Sequence, residues 1–430
     1  MGQHVKSRNL GALWVAALAA CGGGSYAAPR SGTALAGASG YFGGGEAPVA
    51  VTSTTSTTSI TTVTVASPAE QPAFAHEMQF AQSPMLTAGS VGDVDRFEPY
   101  LDFVARHPHE AHSLGLALTR RVRVRVLDSV GQQLAGAVIR ACDSDQNCTS
   151  GVTHADGRWD FFPSVAGSVT VSATHMGGTV EVSTEAPSAG EGQGVTLQLT
   201  NARAVPSRAL DLGFVIDVTG SMEDELRYIN REIGSIVGAI RAQAREVDVR
   251  VGAILYRDRT DPVALQQIAF TDDVAGFATA LQTIHASGGG DYPEDLNSGL
   301  EAALSRLAWR SREATCVLVL IGDAPPKRYA DAQYTYQHAM IDASARGIRV
   351  VPVAASGADR TVEFLFRALG VFTSTPYVYL TDDSGIGGTH LEADTDRVAV
   401  EYFADLLTRL VLSDLQGRGM HEPGIFGPPS

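Results

Sequence analysis

Ala209-Leu210-Asp211-Leu212-Gly213-Phe214-Val215-Ile216-Asp217-Val218-Thr219-Gly220-Ser221-Met222 decides how the chain is read. The apolar run Leu212 to Ile216 predicts a buried strand, and a helix-period segment begins at Met222. Between them, Asp217, Thr219 and Ser221 occupy alternate positions of one tight turn, so their oxygens can converge while Val218 and Gly220 face elsewhere. One carboxylate and two hydroxyls make a hard, oxygen-only donor set suited to Mg²⁺ or Mn²⁺. The same residue types also cap helices, so the pattern gains meaning only from the loops downstream of it.

After Ser207 the chain alternates strand and helix. Strands are predicted at 211–217, 247–256, 263–270, 315–322, 348–354 and 376–380. Helices are predicted near 223–244, 273–284, 295–308, 330–346, 359–369 and 395–412. Such alternation gives an α/β, doubly wound, mostly parallel sheet with its ligand site at the carboxyl ends of the strands, where Asp217 and Asp323 both fall.

Three loops carry a specific resemblance. Asp217-Val218-Thr219-Gly220-Ser221 fits the pattern D-x-[ST]-x-S, Gly288-Gly289-Gly290-Asp291-Tyr292-Pro293-Glu294-Asp295 forms a second loop, and Ile321-Gly322-Asp323-Ala324-Pro325 a third. In this order the region 205–415 resembles a Rossmann-like von Willebrand factor type A (VWA) domain with a metal-ion-dependent adhesion site, its second loop similar to that of integrin β chains. The resemblance implies Mg²⁺ (or Mn²⁺) held by Thr219, Ser221, Asp217 and Asp323, with Asp291 as the second-loop contributor and Glu294 close enough to take part. It also implies an open coordination position for an acidic side chain of a protein partner. Asp291 and Glu294 can alternatively build an adjacent Ca²⁺ site. Asp258 is expected to support the first loop, and the glycine-rich stretch Ser384 to His390 to be an irregular connection.

Residues 119–203 change to period two: Val122, Val124 and Val126 alternate with Arg121, Arg123 and Arg125, and turn signals stand at Asp156-Gly157 and Gly177-Gly178. A small all-β sandwich is predicted, with the arginines on a solvated face. Thr153-His154-Ala155-Asp156-Gly157 resembles the hairpin of bacterial immunoglobulin-like and carboxypeptidase-regulatory-like modules. Cys142 and Cys148 flank an acidic loop and can form a local disulfide worth roughly 2 kcal/mol; the loop can instead hold Ca²⁺. Cys316, inside an apolar run, is expected to be a buried thiol.

At the N-terminus, Lys6 and Arg8 precede an apolar stretch from Leu10 to Ala20 that is too short to span a bilayer. Residues 1–21 end in Leu18-Ala19-Ala20-Cys21 and resemble a bacterial lipoprotein signal peptide and lipobox. The resemblance implies lipidation of Cys21, and Gly22 implies sorting to the outer membrane. Residues 22–92, rich in Gly, Ser, Thr, Ala and Pro, read as a low-complexity disordered linker. Residues 93–118 read as a short helical segment and linker carrying His107, His109 and His112, and 416–430 as a disordered tail.

The 430-residue chain has a net charge of −15 and a pI near 5.1, which argues against nucleic acid or anionic lipid headgroups as partners. A cell-envelope lipoprotein that docks a protein through its metal site, with membrane contact only through the lipid, fits the whole. A phosphoryl-transfer enzyme of haloacid-dehalogenase type also uses strand-end Asp residues and Mg²⁺, but it needs an acid two residues after the first Asp. Thr219 stands there, so no enzyme is expected. A structural spacer with a degenerate site is the other alternative, and the retention of all three loops argues against it.

Overall fold

The structure is a computed structural model that describes residues 85–421. The signal sequence with Cys21, residues 22–84 of the predicted linker and residues 422–430 lie outside the described residues. Strand β1 (Thr87–Val91) comes first, followed by helices α1 (Phe97–Arg106) and α2 (Pro108–Leu114). Eight short strands follow: β2 (Arg120–Leu127), β3 (Val138–Cys142), β4 (Cys148–Val152), β5 (Arg158–Phe161), β6 (Gly167–His175), β7 (Gly178–Ala186), β8 (Gly190–Glu191) and β9 (Val195–Gln198). The remaining strands are β10 (Ala209–Asp217), β11 (Asp248–Tyr256), β12 (Leu265–Thr271), β13 (Thr315–Gly322), β14 (Ile348–Ala354), β15 (Tyr377–Leu380) and β16 (Val400–Tyr402). Between them run α3 (Glu223–Gln243), α4 (Val274–Gln282), α5 (Leu296–Arg306), α6 (Tyr336–Ala345) and α7 (Arg360–Phe372), and α8 (Phe403–Leu415) closes the order.

One eight-stranded sheet runs β12-β11-β10-β13-β14-β15-β1-β16. Its five central strands, β11, β10, β13, β14 and β15, are parallel, while β12, β1 and β16 join antiparallel to their neighbours. Alternation along the buried strands sends side chains into two separate cores. Val215, Leu318 and Leu320 face α5, α6 and α7; Phe214, Ile216, Val319 and Ile321 face α3, α4 and α8. Both faces are therefore covered, as near-continuous apolar strands require.

Four boundaries differ from the sequence expectation. The stretch predicted as linker to residue 92 contains all of β1, which wedges between β15 and β16. Thr-Ala-Gly-Ser-Val is a weak strand sequence, and long-range pairing on both sides supplies the hydrogen bonds that propensity does not. Gly89 is needed there, because a Cβ would lie 2.4 Å from atoms of the Tyr379 ring on the next strand. Residues 93–118 are not a linker: Phe97, Tyr100, Phe103 and Val104 are buried, and the Phe103 ring stacks on Phe364 at 5.6 Å. Residues 395–402 form a connection and β16 rather than the start of a helix. Residues 416–421 are packed rather than a loose tail, with Met420 buried and His421 Nδ1 2.8 Å from Asp95.

Residues 119–203 fold as two four-stranded sheets, one of β5-β2-β8 with β9 beside β2, the other β4-β3-β6-β7, and they share one apolar cluster. In chain order they are inserted between β1 and the rest of the large sheet. The arginine face of β2 is not solvated as a whole. Arg121 is fully buried, donates to the Val94 carbonyl at 2.7 Å and to Glu191 at 2.8 Å, and lies 4.2 Å from the centroid of the Phe97 ring. Helix α1 covers that face, which β-strand periodicity alone cannot reveal. Thr153 to Gly157 is not the predicted hairpin, because β4 and β5 lie in different sheets; it is a turn between them that meets the amino end of β14, where Arg349, its second residue, sits 2.9 Å from both Asp156 and Asp414, and Trp159 Nε1 donates to Ser344 Oγ at 2.7 Å. This junction is at the opposite end of β14 from the Asp217 loop, about 17 Å of strand away at roughly 3.3 Å per residue.

Candidate metal centre

β10 delivers Asp217 to the carboxyl edge of the sheet, and the chain then turns sharply into α3. The turn is fixed by its neighbours: Val218 N–H donates to the Tyr256 carbonyl at 3.1 Å, and Ser287 N–H donates to the Val218 carbonyl at 3.0 Å. Asp217 Oδ1 accepts from the Thr219 N–H (2.9 Å) and hydroxyl (2.7 Å), and the Thr219 and Ser221 hydroxyls are 3.3 Å apart. Asp217 and Thr219 are completely buried, whereas Ser221 is exposed. Asp323 follows the last residue of β13, also buried, and the Ser221 hydroxyl bonds its carboxylate.

Glu294 completes the cluster from the second loop. It is 4 % exposed and lies within electrostatic reach of Asp217, Asp258 and Asp323. Gly289 makes room for it: with φ of +77°, a Cβ there would stand 2.7 Å from Glu294 Oε1 and 3.3 Å from the Thr219 Cβ. Burial, then the neighbouring Asp323, pushes Asp217 up to about 7, against the pull of its bonds from Thr219. Burial, then Asp217 and Asp258, pushes Glu294 up to about 9, and burial raises Asp323 as well. Asp217 Oδ2, Glu294 Oε2 and Asp323 Oδ1 are buried without hydrogen-bond partners. Unsatisfied carboxylate oxygens gathered in one place are costly, and either protonation or a positive charge among them relieves that cost. Among the described residues, no group of three or more His, Cys, Asp or Glu side chains is placed to hold a metal ion.

The sequence profile of the von Willebrand factor A domain matches residues 211–369, which span all three loops. The chain carries a von Willebrand factor A domain. The VWA match ends inside α7, so the sheet extends beyond it through β15, β1 and β16. The alpha-protein kinase vwkA of Dictyostelium discoideum is 28 % identical over 154 residues, 35 % of this chain and 23 % of that protein. The chain thus spans less than a quarter of that relative's length. The structure of proximal thread matrix protein 1 from the mussel byssus aligns over 49 % of this chain and 46 % of its own, at 13 % identity and a TM-score of 0.32.

Within the VWA domain the two second-loop candidates separate. Asp291 turns outward, its side chain 59 % exposed, and pairs with Lys327 Nζ at 2.5 Å. Glu294 faces Asp217 and Asp323 instead. Sequence reading missed Lys327, which also pairs with the buried Asp258, and Tyr292, whose hydroxyl donates to the carbonyls of Asp323 (3.3 Å) and Gly357 (3.4 Å) and so straps the second loop to the third. It missed Glu225 as well, fully buried on α3, which accepts from the Ser356 N–H at 3.1 Å and meets His390 Nε2. His390 is held from its other side by Asp382 at 2.7 Å, so the glycine-rich loop is an irregular connection pinned to α3.

Other candidates lie elsewhere. His107 Nε2 is bound to Asp394 at 2.8 Å and its ring packs on Phe103, which makes it structural. Cys142 and Cys148 form a disulfide. The acidic loop between them folds on itself, with Asp143 accepting from the N–H groups of Asp145 and Asn147 and from the Ser164 hydroxyl. Cys316 is free and buried.

Proposed function

We propose that this chain is a cell-envelope lipoprotein, anchored through Cys21 in the outer membrane, whose VWA domain captures a protein partner through a divalent cation. VWA domains generally mediate protein–protein interaction, and the metal reading rests on one observation: three buried, unpartnered carboxylate oxygens beside two hydroxyls. That donor set fits Mg²⁺ or Mn²⁺. Asp217, Thr219, Ser221, Glu294 and Asp323 would hold it, and Asp291 would not. The bound cation would supply a Lewis-acidic contact for an acidic side chain of the partner. The chain's own residues do the rest. Thr219 and the Tyr256–Val218 bond fix the first loop, Gly289 lets Glu294 approach, and exposed Ser221 marks the side open to a partner.

No catalytic role is assigned. Lipid attachment is tested by Cys21→Ser, which should move the protein from membranes to the soluble fraction. The site is tested by Mn²⁺ titration followed by electron paramagnetic resonance. Glu294→Gln and Asp217→Ala should each weaken binding by at least about tenfold, while Asp291→Asn stays within about threefold. Partner recovery from envelope extracts should then require Mg²⁺ and fail in EDTA. Undiminished Mn²⁺ binding by folded Asp217→Ala and Glu294→Gln would refute the site.

A further inference from the structure

A groove of about 230 Å³ lies between the inserted sheets and the amino ends of β13 and β14, at the opposite ends of those strands from the Asp217 loop. Four arginines line it: Arg203, Arg208, Arg312 and Arg346. Among the described residues none of the four makes an ion pair, and Arg346 donates to the Leu304 carbonyl. The acids on the lining are Glu313 and Asp414, and Asp414 is already taken by Arg349. A positive groove therefore stands on a chain whose net charge is −15.

The same groove carries apolar groups that the fold leaves in water. Met176, 82 % exposed, and Val205, 73 % exposed, are the two most exposed large apolar side chains among the described residues, and both line it. One exposed apolar side chain is ordinary, but methionine and valine set among unpaired guanidinium groups make the mixture found at protein interfaces. Backbone geometry adds a separate argument. Met176 and Gly177 form a two-residue turn between His175 and Gly178, with φ of +45° and +81°. Such a turn favours Asn or Gly at its first position, because a bulkier side chain at positive φ crowds its own backbone. Methionine accepts that cost here without gaining burial. Ser311, with φ of +50°, is a second non-glycine residue held at positive φ on the lining. Strain kept without local compensation points to a use outside the folding of the chain itself. Thr315, 7 % exposed, also lines the groove, and its hydroxyl has no hydrogen-bond partner, a deficit that a bound polar group would meet.

We propose that this groove docks an acidic segment of a partner protein, whose carboxylates pair with the arginines while its apolar side chains cover Met176 and Val205. Charge complementarity selects the occupant. A basic segment would be repelled by the four guanidinium groups, and a polyanion without apolar groups would leave Met176 and Val205 in water. The groove and the Asp217 cluster lie at opposite ends of β13, so docking here needs no metal and stands apart from the metal reading of that cluster.

The test uses full-length protein and a fluorescein-labelled peptide in which glutamate alternates with leucine and serine, followed by fluorescence polarisation. The peptide should bind equally in Mg²⁺ and in EDTA, and more weakly as sodium chloride rises. Arg208→Glu combined with Arg312→Glu should weaken binding by at least about tenfold, and Val205→Ser by at least about threefold. Arg227→Glu combined with Arg231→Glu, exposed on α3 and not part of the groove, should leave it unchanged. Met176→Asn should weaken binding while holding or raising the thermal midpoint, because asparagine accepts the left-handed turn, and Met176→Leu should bind as wild type. Circular dichroism checks folding; if the double glutamate variant unfolds, Arg208→Gln combined with Arg312→Gln decides, with a loss of at least about threefold. Absence of binding overturns the proposal, as does equal binding of peptides carrying lysine for glutamate or serine for leucine, or an equal loss in the α3 variant. A requirement for Mg²⁺ would place the peptide at the Asp217 cluster and overturns it too.

Discussion

Arg349→Met should destabilise the protein by about 3–5 kcal/mol, because it removes the cation between two buried carboxylates. Arg349 is 1 % exposed and sits 2.9 Å from Asp156 on the turn between β4 and β5 and 2.9 Å from Asp414 on α8; it also donates to the Ser374 carbonyl. Asp414 is already pushed up to about 6, by burial first and by Asp156 among its neighbours, with Arg349 holding it down. Without the guanidinium, the cheapest escape is to protonate that carboxylate. At pH 7, carrying Asp414 from about 6 to a protonated group accounts for only about 1.4 kcal/mol of this loss, and the stranded charge of Asp156 and the lost bond to the Ser374 carbonyl supply the rest. The assay is urea unfolding at pH 7 read through tryptophan fluorescence, since Trp159 lies in the same junction and donates to Ser344. Adding Asp156→Asn and Asp414→Asn to Arg349→Met should recover much of the loss by removing the stranded charges. A loss below about 1 kcal/mol in Arg349→Met, or no recovery in the triple variant, would show that the junction does not depend on this charge balance.

The same turn sets an acid sensitivity. His154 is buried against Gly347 and beside Arg349, and burial first, then the guanidinium, holds its imidazole down at about 3 from an ordinary 6.5. The unfolded chain therefore binds a proton that the folded chain refuses, so this contribution is intact above pH 6.5 and is lost as pH falls from there toward 3. The stability gap between wild type and His154→Gln should narrow by about 2 kcal/mol between pH 7 and pH 5. Asp414 titrates with the opposite sign, but it is common to both proteins and cancels in the difference; a pH-independent gap would count against the assignment. Gly89→Val should lower the thermal midpoint by the equivalent of about 1–3 kcal/mol although valine favours strands, because its Cβ would collide with the Tyr379 ring. Tyr379→Leu should relieve part of that loss, and a stabilised Gly89→Val would mean that β1 does not pack as described.

Much of the VWA domain was legible because its signals are local. The apolar run before Asp217, the alternation of β10 and β13 between two cores, and the strand-to-helix turn that buries Thr219 all follow from side-chain periodicity and backbone geometry over about a dozen residues. The second loop was legible as a loop but not as a geometry. Asp291 and Glu294 are three residues apart, and only the turn made by Gly288, Gly289 and Gly290, each with positive φ, decides which carboxylate faces inward.

By itself the sequence determined the strand order's raw material: which segments are apolar enough to be central strands, where they stop, and that oxygen side chains collect at their carboxyl ends. Tertiary structure alone decided that Thr87–Val91 pairs with strands about three hundred residues away, that Arg121 is buried under α1, that Arg349 joins the inserted sheets to the α/β core, and that Lys327 takes Asp258 and Asp291. The physical reason is common to all four. A charged or weakly apolar residue reads as solvent-facing until another part of the chain supplies its counter-charge or its hydrogen bonds, and that partner is chosen by packing across the fold rather than by spacing along it.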